Sequence, residues 1–311
     1  MQYIHENRQG GTWMTVRDLH FKQEIRELTP LDADYPERLR NIPDPPRTLY
    51  VRGSLPPDDM PTVAIIGARS ASDYGLQVAR SFGRALAMQG VGIISGMAAG
   101  IDSAGQWGAV DAEAKTYAVF GCGLNVCYPA RNYLLYDQIL RYGGGAISEL
   151  PLDAPPIGKQ FASRNRIIAG LADAVLVLEA REKSGTFITV GDALDQGKQI
   201  FALPGRVTDG LSKGCNQLIR QGADILTSPE DVLEYLHLTY HKEQQMLEKD
   251  ISMLNAKQQK VYAALDVEAK HLDQLIGKLA MSVQELSSIL LELEILGFSD
   301  SPKLGFYRRR I

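Results

Sequence analysis

The chain has 311 residues, room for about two domains at roughly 150 residues each. Its 45% hydrophobic and 23% charged residues exclude disorder and fibrous repeats as descriptions of the whole chain. The net charge of −4, from 33 basic and 37 acidic residues, excludes a globally basic nucleic-acid binder and leaves local basic patches open.

Composition divides the chain into four segments: an N-terminal extension and proline-rich lead over 1–61, a glycine-rich domain over 62–236, a polar linker over 237–254, and a small unit over 255–311. Three glycines fall in 1–61, twenty-three in 62–230 and three in 231–311. The first dozen residues carry no structural assignment. The lead ends in Pro43, Pro45, Pro46, Pro56, Pro57 and Pro61, which predicts extended chain and turns, with one short strand at Leu49–Val51.

The middle segment alternates. Strands are predicted at Val63–Gly67, Val91–Ser95, Thr116–Gly121, Ala146–Ser148, Ala174–Glu179, Gln199–Pro204 and Asp224–Thr227. Helical spacing is read at Gly75–Gln89, Ile101–Ala114, Tyr133–Tyr142, Arg164–Leu171, Thr186–Gln196, Asn216–Gln221 and Pro229–Leu236. Short runs that are apolar at every position need cover on both faces, which predicts an α/β fold around a doubly wound parallel sheet. Such sheets bind ligands beyond the carboxyl ends of their strands.

The turns after the strands therefore hold the candidate groups. Gly67-Ala-Arg69 can cradle an anion on backbone N–H groups, with a guanidinium fork beside it. Ser95-Gly96 opens a second glycine-bracketed turn, in which Asp102 is a candidate helix cap. Lys159-Gln-Phe161-Ala-Ser-Arg164-Asn165-Arg166 places three cations and one aromatic in eight residues without an acid. Cations at a helix start oppose its dipole, and an arriving anion relieves that cost. An aromatic among cations is also the composition of a single-strand binding platform. Ser184-Gly185-Thr186 opens another helix, either as a phosphate-type turn or as its cap.

Several chemistries are missing. The sequence has no G-x-G-x-x-G and no P-loop, since Gly121-Cys-Gly123 lacks the third glycine. Histidines stand at 5, 20, 237, 241 and 271, all outside the glycine-rich segment, so no catalytic histidine pair and no zinc site with Cys122 or Cys127 is expected. Three cysteines, Cys122, Cys127 and Cys215, make no disulfide framework and fit a reducing cytosol. No apolar run reaches the roughly 18 residues of a membrane span, and Met1–Gly11 carries no signal-peptide core. No metal or cofactor is expected. The residues alone leave three readings: a single-strand DNA binder, a nucleotide-binding enzyme and a protein-interaction scaffold.

The blocks GARSAS (67–72), SGMAAGIDSAG (95–105), GCGLNVCYP (121–129), FASRNRIIAGLADAVLVLEA (161–180), SGTFITVGDAL (184–194), FALPG (201–205) and GCNQLIRQGA (214–223) occur in that order. Together with the lead YPERLRNIPDPPRTLYVRG (35–53), they resemble the DNA processing protein A (DprA, or Smf) family. The resemblance implies a Rossmann-like fold and a non-enzymatic, cytoplasmic role. Members bind single-stranded DNA, protect it during natural transformation, and load the RecA recombinase onto it as homodimers. It implies a DNA pocket containing Arg69, Phe161, Arg164, Asn165 and Arg166, joined by Lys159 and the Ser184–Thr186 turn, and a dimer surface near Leu218 and Ile219. Gly105-Gln106 stands where the family usually has an alanine–histidine pair.

The last segment predicts three helices, Asn255–Leu265, His271–Leu279 and Ser282–Leu296, and a two-stranded wing over 298–311. Ser282 and Glu285 form a candidate capping box. This is the pattern of a winged helix. Its third helix holds Glu285, Glu292 and Glu294 and no cation, so Arg308, Arg309 and Arg310 are the groups suited to phosphate. Protein contact or weak duplex binding is the expected role.

Overall fold

The computed structural model describes residues 4–6, 12–16, 21, 23–239 and 251–310. The predicted linker lies mostly outside them. The chain folds as two compact units, Met1–Ala71 with Ala79–His241, and Ser72–Val78 with Lys242–Ile311.

Up to residue 239 the elements are β1 (Ile4–Glu6), β2 (Thr12–Thr15), β3 (Ile25–Leu28), α1 (Glu37–Arg40), β4 (Leu49–Gly53), β5 (Thr62–Ile66), α2 (Asp73–Met88), β6 (Gly92–Ser95), α3 (Ile101–Asp111), β7 (Thr116–Val119), β8 (Val126–Cys127), α4 (Tyr133–Arg141), β9 (Gly145–Ser148), α5 (Gly158–Leu171), β10 (Ala174–Val177), α6 (Thr186–Asp195), β11 (Gln199–Ala202), α7 (Lys213–Arg220), β12 (Asp224–Ile225) and α8 (Pro229–Tyr235). Nine strands form the main sheet in the order β12-β11-β10-β5-β6-β7-β9-β4-β3. Pairing is parallel from β12 to β9. β5 and β10 are buried at every position, as the apolar runs over 63–66 and 174–177 require.

The predicted doubly wound parallel sheet is therefore present, with an antiparallel edge that the sequence pattern does not predict. β4 pairs antiparallel with β9, and β3 with β4. The connection fits the direction. Residues 54–61 must carry the chain from β4 to β5, four strand positions or roughly 19 Å away. Eight extended residues reach roughly 26–29 Å, enough to run along one end of the sheet without crossing its helix-covered faces. β4 ends where β5 begins. Ser54 N–H donates to Gly144 O at 3.0 Å, and Gly92 N–H donates to Pro61 O at 2.8 Å, which fastens both ends of this run. The N-terminal strands β1 and β2 form a separate small sheet with β8.

All three cysteines are buried thiols. Burial pushes Cys122 and Cys215 up to about 12, and Cys127 higher still. Gln106 is fully buried and donates through Nε2 to Tyr117 O at 3.1 Å, so it serves the packing of α3 on the sheet. Among the described residues no helix is long and apolar enough to cross a membrane.

The second unit carries α9 (Ala256–Ala264), β13 (Lys270–His271), α10 (Leu272–Leu279), α11 (Val283–Ile295), β14 (Ser299–Lys303) and β15 (Phe306–Arg309). The wing gains a third strand, in the order β13-β15-β14. Leu275, Leu286, Leu290 and Leu293 form its core. Only half of the predicted capping box exists: Ser282 Oγ accepts from Glu285 N–H at 3.2 Å, while the Glu285 carboxylate pairs with Lys257 Nζ at 2.6 Å. Ser282→Ala is expected to lower the stability of this unit by about 1 kcal/mol, read from its urea midpoint.

Two of the three wing arginines are held inside the unit. Arg308 makes a two-pronged pair with Asp300, at 2.6 and 3.1 Å. Arg309 lies 4.6 Å from the Tyr262 ring centre and donates to Tyr262 O and Leu265 O. Only Arg310 of the three is left exposed and without such an anchor, so the expectation of a cationic wing is corrected.

Candidate nucleic-acid interface

Strand order reverses between β5 and β10: the chain builds outward from β5 through β6, β7 and β9, then returns to place β10 on the other side of β5. Loops diverge at such a switch point and leave a crevice at the carboxyl ends of the strands. A cavity of about 490 Å³ lies there, lined by residues after β5, after β6 and after β10, and by one face of α5.

The backbone around it is tightly tied. Ala68 N–H donates to Glu179 O at 2.7 Å, and Ile101 N–H donates to Ala68 O at 3.2 Å. These bonds join the ends of β5 and β10 to the start of α3. Ser184 Oγ accepts from Thr186 N–H at 3.2 Å and faces Thr186 Oγ1 at 2.8 Å, so this turn caps α6. It also lines the cavity, so both readings of it remain compatible.

Helix α5 starts at Gly158, six residues before the predicted start, with Gln160 Oε1 accepting from Ile157 N–H at 3.1 Å. The whole basic run is therefore helical, and helical geometry divides it. Phe161, Arg164, Asn165 and Ile168, spaced i, i+3, i+4 and i+7, share the face toward the cavity. Lys159 is exposed and outside the cavity lining. Arg166 points to the opposite side, where Glu149 holds it with two bonds of 2.8 and 2.7 Å and the Asp44 carboxylate stands 2.9 Å away. A neutralised guanidinium there ties α5 to the lead. Arg166→Ala is expected to cost about 1–3 kcal/mol of stability in urea denaturation and to leave the salt dependence of any nucleic-acid binding unchanged.

The Phe161 ring is held in place from two sides. The Tyr128 ring centre lies 5.1 Å away, and the Arg69 guanidinium carbon 5.7 Å from the ring centre. Its edge lies over Gly121, where a β-carbon would stand 2.5 Å from Phe161 Cδ1. The first glycine of the incomplete dinucleotide fingerprint thus makes room for the ring.

Arg164 is 4% exposed and acts beneath the cavity. It donates to Gly96 O at 3.1 Å, to Val119 O, and through Nε to Asn165 Oδ1 at 3.3 Å. It thereby ties the ends of β6 and β7. Asp102, 8% exposed, accepts from Gly96 N–H at 3.3 Å. Burial pushes the Asp102 carboxyl above its ordinary value, against the pull of Arg164 and Arg69. Burial pulls Arg164 down to about 10, against the pull of Asp102, and leaves it charged at neutral pH. Ser95 and Gly96 belong to this floor and do not line the cavity: Ser95 Oγ donates to Ile65 O at 2.6 Å.

The structure therefore brings together Gly67, Arg69, Phe161, Arg164, Asn165, Ser184, Gly185 and Thr186, and places Ser95, Gly96, Lys159 and Arg166 elsewhere. Leu218 is 5% exposed within the main core and Ile219 is half-buried against it, so Leu218 offers no surface to a partner. The cavity also holds two cations that the motifs do not mark. Arg181 and Lys183, on the loop after β10, line it. Their one signal in the sequence is position, since they follow the clearest buried strand, next to the more conspicuous Ser-Gly-Thr turn. Among the described residues, Arg69, Arg181 and Lys183 pair with no carboxylate. The cavity thus joins an aromatic face to an excess of positive charge that no ion pair holds among the described residues.

Comparison with known proteins fits this arrangement. The sequence profile for DNA recombination-mediator protein A matches residues 26–237, and that of the DprA winged helix domain matches 248–298. The chain is 36% identical to Protein Smf of Escherichia coli K12 over 295 residues, covering 93% of this chain and 79% of that one. It is 39% identical to the DNA processing protein DprA of Streptococcus pneumoniae over 226 residues, covering 71% and 79%. The solved structure of DprA from S. pneumoniae superposes with a TM-score of 0.64 over 70% of this chain and 76% of that one. A DNA processing protein A from Helicobacter pylori, solved for its single-stranded DNA binding mode, superposes with a TM-score of 0.63 at 32% identity, over 71% and 99%. The chain belongs to the DNA recombination-mediator protein A family, the DprA/Smf proteins.

Proposed function

We propose that this protein binds single-stranded DNA in the switch-point cavity, protects incoming strands in natural transformation, and loads the RecA recombinase onto them. It does so as a cytoplasmic homodimer and without catalysing a reaction. The observation that carries the reading is the Phe161 ring, set in a cavity whose Arg69, Arg181 and Lys183 are unpaired by carboxylates among the described residues. A base reaches such a ring only when it is free of its own neighbours, which favours single strands over duplex. The phosphates beside it meet the cations. The single-stranded DNA binding described for the H. pylori relative supports the same assignment.

A salt titration of binding to a labelled oligonucleotide, single-stranded against duplex, tests the reading. Steep salt dependence with preference for the single strand is the expected result. Equal binding of both forms, or none, overturns it. RecA loading is tested separately, by whether the protein speeds recombinase assembly on a strand coated with single-strand binding protein.

A further inference from the structure

Resting on that reading, we infer that the cavity prefers thymine to cytosine, and that Asn165 supplies the discrimination. The orientation of its carboxamide follows from its neighbour. Arg164 is a donor at every nitrogen, so the Asn165 atom that meets its Nε at 3.3 Å is the carbonyl oxygen. Arg164 cannot turn to change this, because Gly96 O and Val119 O hold its other end. The Asn165 NH2 group is then the part of the amide left for a ligand, one helical turn beyond Phe161 on the same face of α5.

The cations around the cavity make the same offer: Arg69, Arg181 and Lys183 donate only, while the hydroxyls of Ser70 and Thr189 can turn either way. The acceptor best placed to answer a base amine, Asp102, is 8% exposed and already takes the Gly96 N–H. Ser184 and Thr186 face each other. A base stacked on Phe161 therefore meets the Asp102-shielded floor, the Asn165 NH2 and three side chains that only donate. Of the two DNA pyrimidines, cytosine carries an exocyclic amine, itself a donor, at the position where thymine carries a carbonyl. A cytosine amine against the Asn165 NH2 loses its water and gains no partner there, while a thymine carbonyl takes that NH2.

Binding of the full chain to oligo-dT, oligo-dU and oligo-dC of equal length tests this. Oligo-dT and oligo-dU are expected to bind alike and about tenfold tighter than oligo-dC, the effect of one unmatched donor. Asn165→Leu is expected to bring oligo-dT and oligo-dC within about twofold of each other at an unchanged salt slope, because no phosphate contact is lost. Asn165→Asp, nearly the same shape, turns the donor into an acceptor and is expected to favour oligo-dC; it serves also if the leucine variant does not fold. Strand stiffness differs between these oligonucleotides but is common to protein and variants, so the change in ratio isolates the side chain. Equal binding of oligo-dT and oligo-dC by the unmodified chain, a preference that survives both substitutions, or oligo-dU binding as weakly as oligo-dC overturns the inference while the proposed function stands. Failure to bind any of the three overturns both.

Discussion

Phe161→Ala is expected to weaken single-strand binding by about 1–3 kcal/mol and to leave its salt slope intact. The ring offers a base a flat apolar face, and stacking releases no counterions. Arg69→Ala should behave in the opposite way. One lost phosphate contact lowers the slope of log K against log salt by about 0.7, so the variant's deficit is largest in dilute buffer and shrinks as salt rises. The two residues are neighbours, with the guanidinium carbon 5.7 Å from the ring centre, so the double variant should lose less than the sum of the two. Fluorescence anisotropy across a series of salt concentrations separates the slopes. A Phe161→Ala slope that falls as far as the arginine variant's contradicts the division of labour.

Arg164→Ala is expected to cost about 3–5 kcal/mol of stability, the largest effect of any single substitution considered, because it strips the donor from two buried carbonyls, Gly96 O and Val119 O, and removes the charge that offsets the buried Asp102 carboxylate. The cost depends on pH with a definite sign. Burial already raises the Asp102 pKa above its ordinary value of 3.8, and Arg164 is the foremost group pulling it down. Without Arg164 the folded pKa climbs further. A carboxyl whose folded pKa exceeds its unfolded one favours the folded state at acid pH and loses that contribution as pH rises through the folded value. The variant's deficit should therefore be smallest near about pH 4 and grow toward about pH 8. Adding Asp102→Asn should recover part of it at neutral pH. Urea unfolding at several pH values measures this, and a deficit flat across the range contradicts the account.

Sequence pattern shows the sheet best where burial leaves least choice. Thr62–Ile66 and Ala174–Val177 are apolar-rich and buried at every position, and both are legible as strands. The direction of Leu49–Gly53 is not, because a strand's own residues do not encode which way it runs. Helix α5 begins earlier than its pattern shows, because Ile157 before it has no capping oxygen and Gly158 to Ser163 has no apolar period of its own. The late start conceals a more important point. A run of cations looks like one patch in sequence, but on a helix its members diverge. Arg164 goes under the cavity, Arg166 to Glu149, and Lys159 to solvent. The residues that reach the cavity are those sharing Phe161's face, and Arg181 and Lys183 join them from a loop that has no pattern to read.

The buried thiols have a practical consequence. Cys122, Cys127 and Cys215 all lie in the unit that contains the nine-stranded sheet, and the winged-helix unit has none. A thiol reagent reacts with the thiolate, and burial suppresses both access and ionisation. Reaction must wait for the sheet to open, so the labelling rate in native buffer is a clock for that opening alone. The same experiment with a saturating oligonucleotide would show how far a strand in the cavity slows the clock, reporting ligand stabilisation of one unit while the other remains silent.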